Sequence, residues 1–381
     1  MRKVGLDLGT KEVSYCEIDD GKVLVRRTAR DIRSLDDLLG PECPPAIVVI
    51  EACREAWHVH DVLTNNGHKV ILADTTRTKQ LGIGQHGRKT DKIDAEVLAR
   101  AIDRGIAPAH VLSPHRRELR EKLSARRALV EARANLTTMI RGLVRARGEK
   151  LGSCDTEHFQ KKLEVSSLTD AARLAIEPVV AVLKTLQEQL SIVESQLETF
   201  AAKEPAIAQL TSTPGVDLVV AAVFVSVIDE AKRFPNAHKL QSYLGLVPSE
   251  DTSGSRTKRK LGSITKCGNS YARAMLVQAA WCILRLSGND PLSAWGRRVE
   301  KRRGKRIAVV ALARRLAGVL WAMWRHNRPY DPVRLGNRAA QGLETSAHEM
   351  TVAALSMRKI AQKASARVRK INARLPKEVR A

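Results

Sequence analysis

The first 110 residues alternate short apolar runs with amphipathic stretches. Runs rich in β-branched residues predict strands at 4–8, 13–18, 22–27, 46–50 and 69–73. Apolar residues at helical spacing predict helices at 36–39, 54–65 and 91–104. An opening rich in hairpins, followed by strand–helix alternation, predicts one mixed α/β sheet with helices packed on it.

The pattern becomes helical over residues 111–205. Residues 115–150 carry eleven Lys and Arg over a weak apolar stripe, and Pro114 is a suitable first helical residue. A second stripe alternates by four and three residues, at positions 179, 183, 186, 190, 193, 197 and 200. This heptad seam predicts an antiparallel helical hairpin, or a coiled coil that joins protomers.

Residues 206–330 form a third, mainly helical segment. Helices are predicted at 218–228, 271–286 and 307–324, and the turn at Pro214-Gly215 lies between two helices as in a helix-hairpin-helix element. The amides of such a turn can face a phosphate. Residues 331–381 lack a strong core pattern and are predicted to form a basic arm.

The charge indicates a polyanionic partner. The chain has 381 residues with 65 Lys and Arg against 41 Asp and Glu, a net charge of +24. The cations cluster at 116–147, 256–260, 297–306 and 358–380, where they are expected to contact nucleic-acid phosphates. Aromatic residues make up only 3% of the chain, so extensive base stacking is not expected. The candidate contact residues are Arg256, Lys258, Arg259, Lys260, Lys266, Arg297, Arg298, Lys301, Arg302 and Arg303.

The remaining composition favours a reduced cytoplasmic setting, associated with the nucleoid. None of the six cysteines forms a C-x-x-C pair, so no zinc or redox motif is indicated. The N-terminus has no signal-peptide pattern. No apolar run reaches the roughly 18 residues that a membrane span needs, so no span is expected.

Four acidic residues in the first hundred positions predict a divalent-metal site. Asp7 ends one predicted strand and Glu51 follows another, while Asp91 and Asp94 share a face at the start of a helix. Carboxylate oxygens suit Mg²⁺ or Mn²⁺, and such ions assist phosphodiester chemistry. Each acid alone has an ordinary alternative role, such as a helix cap or an ion pair.

The first motif also fits a different class of protein. The segment from Gly5 to Lys11 is similar to the first phosphate loop of actin-type and sugar-kinase ATPases. No second phosphate loop or adenosine motif follows, and a small-molecule kinase does not need so large a positive charge. A protein that only binds nucleic acid is a further alternative.

A serine-containing loop is the second candidate site. Ser253 lies in Thr252-Ser253-Gly254-Ser255, directly before a basic run, and could attack a phosphodiester while Arg and Lys stabilise the developing charge. A polar surface loop would have the same composition. Ser249, Thr252 and Ser255 stay open as rival nucleophiles.

The order of these motifs resembles the Asp-Glu-Asp-Asp (DEDD) insertion-sequence transposases. The resemblance rests on Asp7, Glu51 and Lys89-Thr90-Asp91-x-x-Asp94-Ala95 in the first part. The later part matches at Thr213-Pro214-Gly215, Tyr243-Leu244-Gly245-Leu246-Val247-Pro248, Ser253-Gly254 and Ile264-Thr265-Lys266-Cys267-Gly268-Asn269.

The resemblance implies a domain order and a mechanism. It implies an RNase H-like (RuvC-like) metal-binding domain at 1–110, a helical coiled-coil linker at 111–205, a mainly α transposase domain with a serine loop at 206–330, and the basic arm. Asp7, Glu51, Asp91 and Asp94 match the metal-binding acids, and Ser253 matches a nucleophile that forms a phosphoserine link to DNA. The resemblance also implies donor and target DNA, a bridge RNA as a structured guide, and assembly as a dimer or tetramer. A metal-dependent nuclease or Holliday-junction resolvase that uses water is the main alternative.

Overall fold

The computed structural model describes residues 1–74, 91–106, 108–154, 158–251, 260–285 and 290–335. The contacts divide the chain into two compact units, Met1–Ser113 (unit 1) and Pro114–Ala381 (unit 2), and each is described by itself. The side chains of residues 91, 92, 251, 260 and 261 lie outside this description.

Unit 1 contains a five-stranded mixed sheet. Its strands are β1 (Arg2–Leu8), β2 (Val13–Asp19), β3 (Lys22–Ala29), β4 (Ala46–Glu51) and β5 (Lys69–Ala73). The order is β3-β2-β1-β4-β5, with antiparallel pairing from β1 to β3 and parallel pairing among β1, β4 and β5. The prediction of a mixed α/β sheet is confirmed, and the topology is consistent with an RNase H-like domain.

Helices cover both faces of this sheet. The short α1 (Asp36–Leu39) and α2 (Ala56–Asn65) lie over one face, where Leu6, Val48 and Leu63 belong to the same buried cluster. Helix α3 (Asp91–Ala101) lies on the other face, where its Ala95 and Ala99 pack against Cys16. Because side chains alternate along a strand, odd and even positions of β1 face different helices.

A buried ion pair ties the start of β1 to β2 on the α2 face. Arg2 donates through Nε and Nη2 to the two carboxylate oxygens of Glu17, at 2.8 and 2.9 Å. The Tyr15 hydroxyl donates to the same carboxylate. The hydrogen bond from Arg2 holds the pKa of the Glu17 carboxyl below its ordinary value, and burial raises the pKa of Tyr15.

Unit 2 is helical apart from one β-hairpin, within the part of it that the structure describes. The helices are α4 (Pro114–Ala146), α5 (Phe159–Glu164), α6 (Asp170–Ala202), α7 (Pro205–Leu210), α8 (Leu218–Ile228), α9 (Ala237–Tyr243), α10 (Ser270–Arg285), α11 (Pro291–Arg303) and α12 (Lys305–Arg325). The hairpin consists of β6 (Pro248–Asp251) and β7 (Lys260–Ile264).

The long helices α4 and α6 pack antiparallel within one chain. Arg116 pairs with Glu204, which directly precedes α7, while Arg126 pairs with Glu194 and Arg133 donates to Gln187. The seam residues Leu183, Leu190 and Leu197 are buried, as a heptad pattern requires. Between the two long helices the chain forms an additional short helix, α5, whose Phe159 and Leu163 are buried against them.

The core of unit 2 surrounds α8. From Val220 to Ile228 every residue of this helix is buried, against α4, α7 and α10. The expectation that no apolar stretch reaches membrane length needs one correction, because α12 is long and apolar enough by length and composition. Half of that apolar window is buried within the protein, and Leu312, Leu316 and Leu320 lie in this core, so the evidence for a membrane span is weak.

We expect Glu17→Gln to lower the free energy of unfolding by about 3 kcal/mol at pH 7, because Arg2 would keep a largely buried charge without its counterion. The folded-state pKa of Glu17 is depressed, so its contribution is present above about pH 4.3, the ordinary pKa of glutamate, and is lost as pH falls below it. Urea unfolding between pH 3 and pH 7 measures both effects.

The exposed pair Arg27–Asp37 provides the matched control. Asp37→Asn should cost less than about 1 kcal/mol, because solvent screens that pair. Equal losses for the two variants would contradict a special role for the buried pair.

Candidate functional site

The first two predicted metal ligands lie side by side at one edge of the sheet. Leu6 of β1 and Ile50 of β4 are register partners, so Asp7 and Glu51 form the next position along these parallel strands. Neighbouring strands are about 5 Å apart. Gly5 and Val49 face α3, and side chains two residues further along a strand share that face, so both carboxylates lie on the α3 side.

Helix α3 runs antiparallel to β1, and this direction brings its first turn toward Asp7. Lys3, at the start of β1, pairs with Asp103, just beyond the end of α3. Further along β1, Gly5 contacts the backbone of Ala95 and Ala99 in the middle of α3. The beginning of α3, with Asp91 and Asp94, therefore points toward the carboxyl end of β1.

Gly5 is required for this approach, and sequence reasoning missed that role. A Cβ atom at Gly5 would lie 2.0 Å from the carbonyl oxygen of Ala95 and 2.5 Å from the backbone nitrogen of Ala99. Both contacts are with backbone, which cannot move without shifting the whole helix. The glycine of this motif thus permits close helix–strand packing, a role independent of any phosphate loop.

The donors present suit a hard divalent cation. Asp7, Glu51 and Asp94 supply carboxylate oxygens, which Mg²⁺ and Mn²⁺ prefer. The structure does not bring Asp7, Glu51 and Asp94 close enough together to hold a metal ion, since no group of three His, Cys, Asp or Glu among the described side chains does so. The side chain of Asp91 lies outside this description. A buried hydroxyl without a hydrogen-bond partner in the described chain, that of Ser14, lies opposite Asp7 in the sheet.

The predicted serine nucleophile belongs to the connection between β6 and β7. Ser253, Arg256, Lys258 and Arg259 lie outside the described residues, and for Lys260 only the backbone is described. The two strands pair antiparallel, with Pro248 opposite Ile264 and Asp251 opposite Lys260. Ser249, one of the rival nucleophiles, donates its hydroxyl to the carbonyl of Ser263 at 3.0 Å.

Two sequence motifs cross at the base of this hairpin, and their glycines explain the crossing. Gly245 and Gly268 both have positive φ, at 68° and 104°. A Cβ at Gly245 would lie 2.1 Å from the carbonyl oxygen of Cys267, and one at Gly268 would lie 2.1 Å from that of Tyr243. The motifs at 243–248 and 264–269 therefore form one backbone junction that carries the hairpin.

The Pro214-Gly215 turn packs against the helical core. A Cβ at Gly215 would lie 2.8 Å from Cγ1 of Ile283 on α10. The next helix, α8, is capped by Asp217, whose carboxylate accepts from the amide of Val220 at 2.7 Å. That amide therefore already has an anionic partner, and the helix-hairpin-helix assignment stays a prediction.

The basic stripe of α11 is exposed to solvent. Arg298, Lys301, Arg302 and Arg303 are exposed, whereas Arg297 is half-buried and donates to the Ser293 hydroxyl at 2.7 Å. Lys266 is also exposed and has φ of 56°. The second half of α11 therefore presents four exposed positive side chains.

The basic cluster of α4 serves the fold more than expected. Arg116 and Arg126 pair with acids of neighbouring segments, and Arg127 pairs with Glu131 on α4 itself. Arg141 packs on the ring of Phe159 at 5.1 Å. Only part of this cluster can therefore serve as a phosphate-binding surface.

Two family models match the chain in the same order as the motifs. Residues 4–147 match a model described as "Transposase", of the DEDD transposases of the IS110 type. Residues 207–293 match a model described as "Transposase IS116/IS110/IS902 family". Together these matches cover more than half of the chain, and they include the edge with Asp7 and Glu51 as well as the β6–β7 hairpin.

Related proteins extend the similarity over most of the chain. A protein of Pseudomonas aeruginosa named "Probable family 20 transposase" is 26% identical over 87% of this chain and 99% of its own length. The "Transposase for insertion sequence element IS1111A" of Coxiella burnetii is 26% identical over 86% of this chain and 90% of its own. An IS110-encoded protein of Streptomyces coelicolor, named as an uncharacterized 43.6 kDa protein, is 30% identical over 47% of this chain and 42% of its own.

We expect Gly5→Ala to destabilise unit 1 by about 3 kcal/mol, because the new methyl group would overlap backbone atoms of α3. The thermal unfolding midpoint measures this effect. Gly142→Ala is the control, since nothing lies within 4 Å of a Cβ there and alanine favours a helix by about 0.5–1 kcal/mol. Similar unfolding midpoints for Gly5→Ala and the wild type would contradict the close packing of α3 on β1.

Proposed function

Because the chain belongs to the IS110/IS116 family of DEDD transposases, we propose that it cuts and rejoins DNA of an insertion sequence by a metal-assisted serine mechanism. Transposases of this family act on DNA and are generally dependent on a divalent metal. The proposal assigns the metal to unit 1 and the nucleophile to unit 2. The proposed place of action is the cytoplasm, at the nucleoid.

The proposed metal ligands are Asp7, Glu51, Asp91 and Asp94. The observation that carries this assignment is the shared edge of Asp7 and Glu51, on the face toward which the first turn of α3 points. Mg²⁺ or Mn²⁺ bound there would neutralise charge on a scissile phosphate. The carboxylates would hold the cation at the carboxyl ends of β1 and β4.

Ser253 is the proposed nucleophile. Its Oγ would form an ester bond to the DNA phosphorus as one phosphorus–oxygen bond of the DNA backbone breaks. The serine hydroxyl loses its proton in this step, and the leaving sugar oxygen gains one. Attack by a sugar hydroxyl of another strand end would reverse the step, release the serine and join the new pair of strands.

We expect Asp7→Asn and Ser253→Ala each to reduce recombination by about a thousandfold or more, because each removes a group that acts on the reacting phosphate. Recombination between two plasmid-borne sites measures the loss. Wild-type protein should also form a DNA adduct that survives denaturation, and Ser253→Ala should not.

Two variants control for charge and for the choice of serine. Asp103→Asn removes an exposed acid that pairs with Lys3, so it should retain recombination. Ser249→Ala should retain adduct formation, because the Ser249 hydroxyl bonds to the hairpin backbone. Full recombination by Ser253→Ala would contradict the serine mechanism and favour a metal-dependent nuclease or junction resolvase that uses water.

The exposed end of α11 is the proposed surface for the DNA backbone. Replacing Arg298, Lys301 and Arg302 together by Gln should weaken binding to all DNA sequences alike. The slope of log binding constant against log salt should fall by roughly 0.9 for each lost phosphate contact. Fluorescence anisotropy with two unrelated duplexes between 50 and 200 mM salt measures both quantities.

A charge-matched triple variant tests whether position matters. It replaces three exposed lysines outside the predicted clusters, Lys161, Lys184 and Lys203. The control should change the salt slope by less than the α11 variant does. Equal salt slopes for the two variants would show that the effect depends on the net charge of the protein and not on the position of the charges.

A structured guide RNA and a homo-oligomer complete the proposal. Pairing with a guide would supply the sequence choice that contacts of the basic clusters with the phosphate backbone do not give. Exposed apolar side chains on α6, including Leu174, Val182 and Ile192, support assembly of a dimer or tetramer through the coiled-coil region. Sequencing of RNA that co-purifies tests the guide, and absence of a discrete RNA would contradict it. Sedimentation with DNA tests assembly, and an active monomer would contradict it.

A further inference from the structure

Ser14 has the only buried side-chain oxygen in the described part of unit 1 that lacks a hydrogen-bond partner. The residue is 2% exposed, so bulk solvent does not reach the hydroxyl. A buried hydroxyl without a hydrogen-bond partner destabilises the folded protein. Its presence is explained if it gains a partner in another state, such as a ligand-bound one. A serine at this position therefore needs an explanation that packing does not supply.

The place of Ser14 in the sheet provides that explanation. Ser14 on β2 is the register partner of Asp7 on β1, and Gly5 is the register partner of Cys16. Cys16 packs against Ala95 and Ala99 of α3, and Ser14, two residues away, shares that face. Across three neighbouring strands the order on the α3 face is thus Ser14, Asp7, Glu51.

A hydroxyl in this position can orient a carboxylate ligand. A carboxylate has two oxygens, so Asp7 can offer one to a cation and accept a hydrogen bond on the other. Ligands of metal ions are commonly held by such a second hydrogen bond, which fixes their direction.

We propose that Ser14 is a positioning residue that donates its hydroxyl to the carboxylate of Asp7 when a divalent cation is bound. This inference rests on the proposed metal site. It extends that site to β2, so that the strand on each side of Asp7 contributes one functional side chain. Without the cation the hydroxyl lacks a partner and lowers the stability of the folded protein. With the cation bound, its hydrogen bond to Asp7 strengthens metal binding.

The experiment uses full-length protein, titrated with Mn²⁺ alone in a calorimeter, together with urea unfolding in the absence of metal. Ser14→Ala should weaken Mn²⁺ binding about tenfold, while its metal-free unfolding midpoint stays equal to the wild type or rises. Ser14→Thr, which keeps the hydroxyl, should bind Mn²⁺ more tightly than Ser14→Ala. Cys16→Ala controls for packing on the same face: it should lower the unfolding midpoint and change the Mn²⁺ affinity less than twofold.

Asp7→Asn separates failure of this inference from failure of the metal site. If Asp7→Asn abolishes Mn²⁺ binding and Ser14→Ala binds like the wild type, the role of Ser14 is wrong and the metal site stands. If Asp7→Asn binds Mn²⁺ like the wild type, the metal site and the role of Ser14 are both wrong. A lower metal-free unfolding midpoint for Ser14→Ala would also overturn the inference, because the hydroxyl would then have a structural partner.

Discussion

The contact between Gly5 and the backbone of α3 determines the geometry of unit 1. A side chain at this position would overlap Ala95 and Ala99, so the helix can reach the sheet only because residue 5 has none. The approach fixes both the height of α3 above the sheet and its direction along β1. Every acid proposed to bind metal is positioned by one of the two elements that meet there, or by β4, which pairs with β1.

The two faces of the sheet carry different chemistry as a result. On the α2 face, Arg2, Tyr15 and Glu17 form a buried network in which each polar group has a partner. On the α3 face, Ser14 has no partner within the described chain, and carboxylates occupy the neighbouring strand ends. A satisfied network stabilises a fold, whereas a buried hydroxyl without a hydrogen-bond partner destabilises it. Such an arrangement is typical of sites that bind a ligand.

Local patterns predicted the elements better than the contacts between them. The strands at 46–50 and 69–73 and the helices at 36–39 and 218–228 were predicted within a residue, because alternation and end signals are encoded in adjacent positions. Helix α5 was missed, because six residues are too few to show a period. The exclusion of a Cβ at Gly5 and the register of Ser14 with Asp7 depend on residues that are distant in sequence, and no local pattern contains them.

The glycines of unit 2 also have roles that the local sequence does not predict. The motifs at 243–248 and 264–269 were recognised by their resemblance, with no physical reason for Gly245 or Gly268. The structure supplies the reason, since each glycine has positive φ and lies against a carbonyl of the other motif. Two strands that leave such a junction have fixed starting points, whatever the sequence of the loop between them. The junction therefore fixes the base of the β6–β7 hairpin, and the segment between these strands contains the proposed nucleophile.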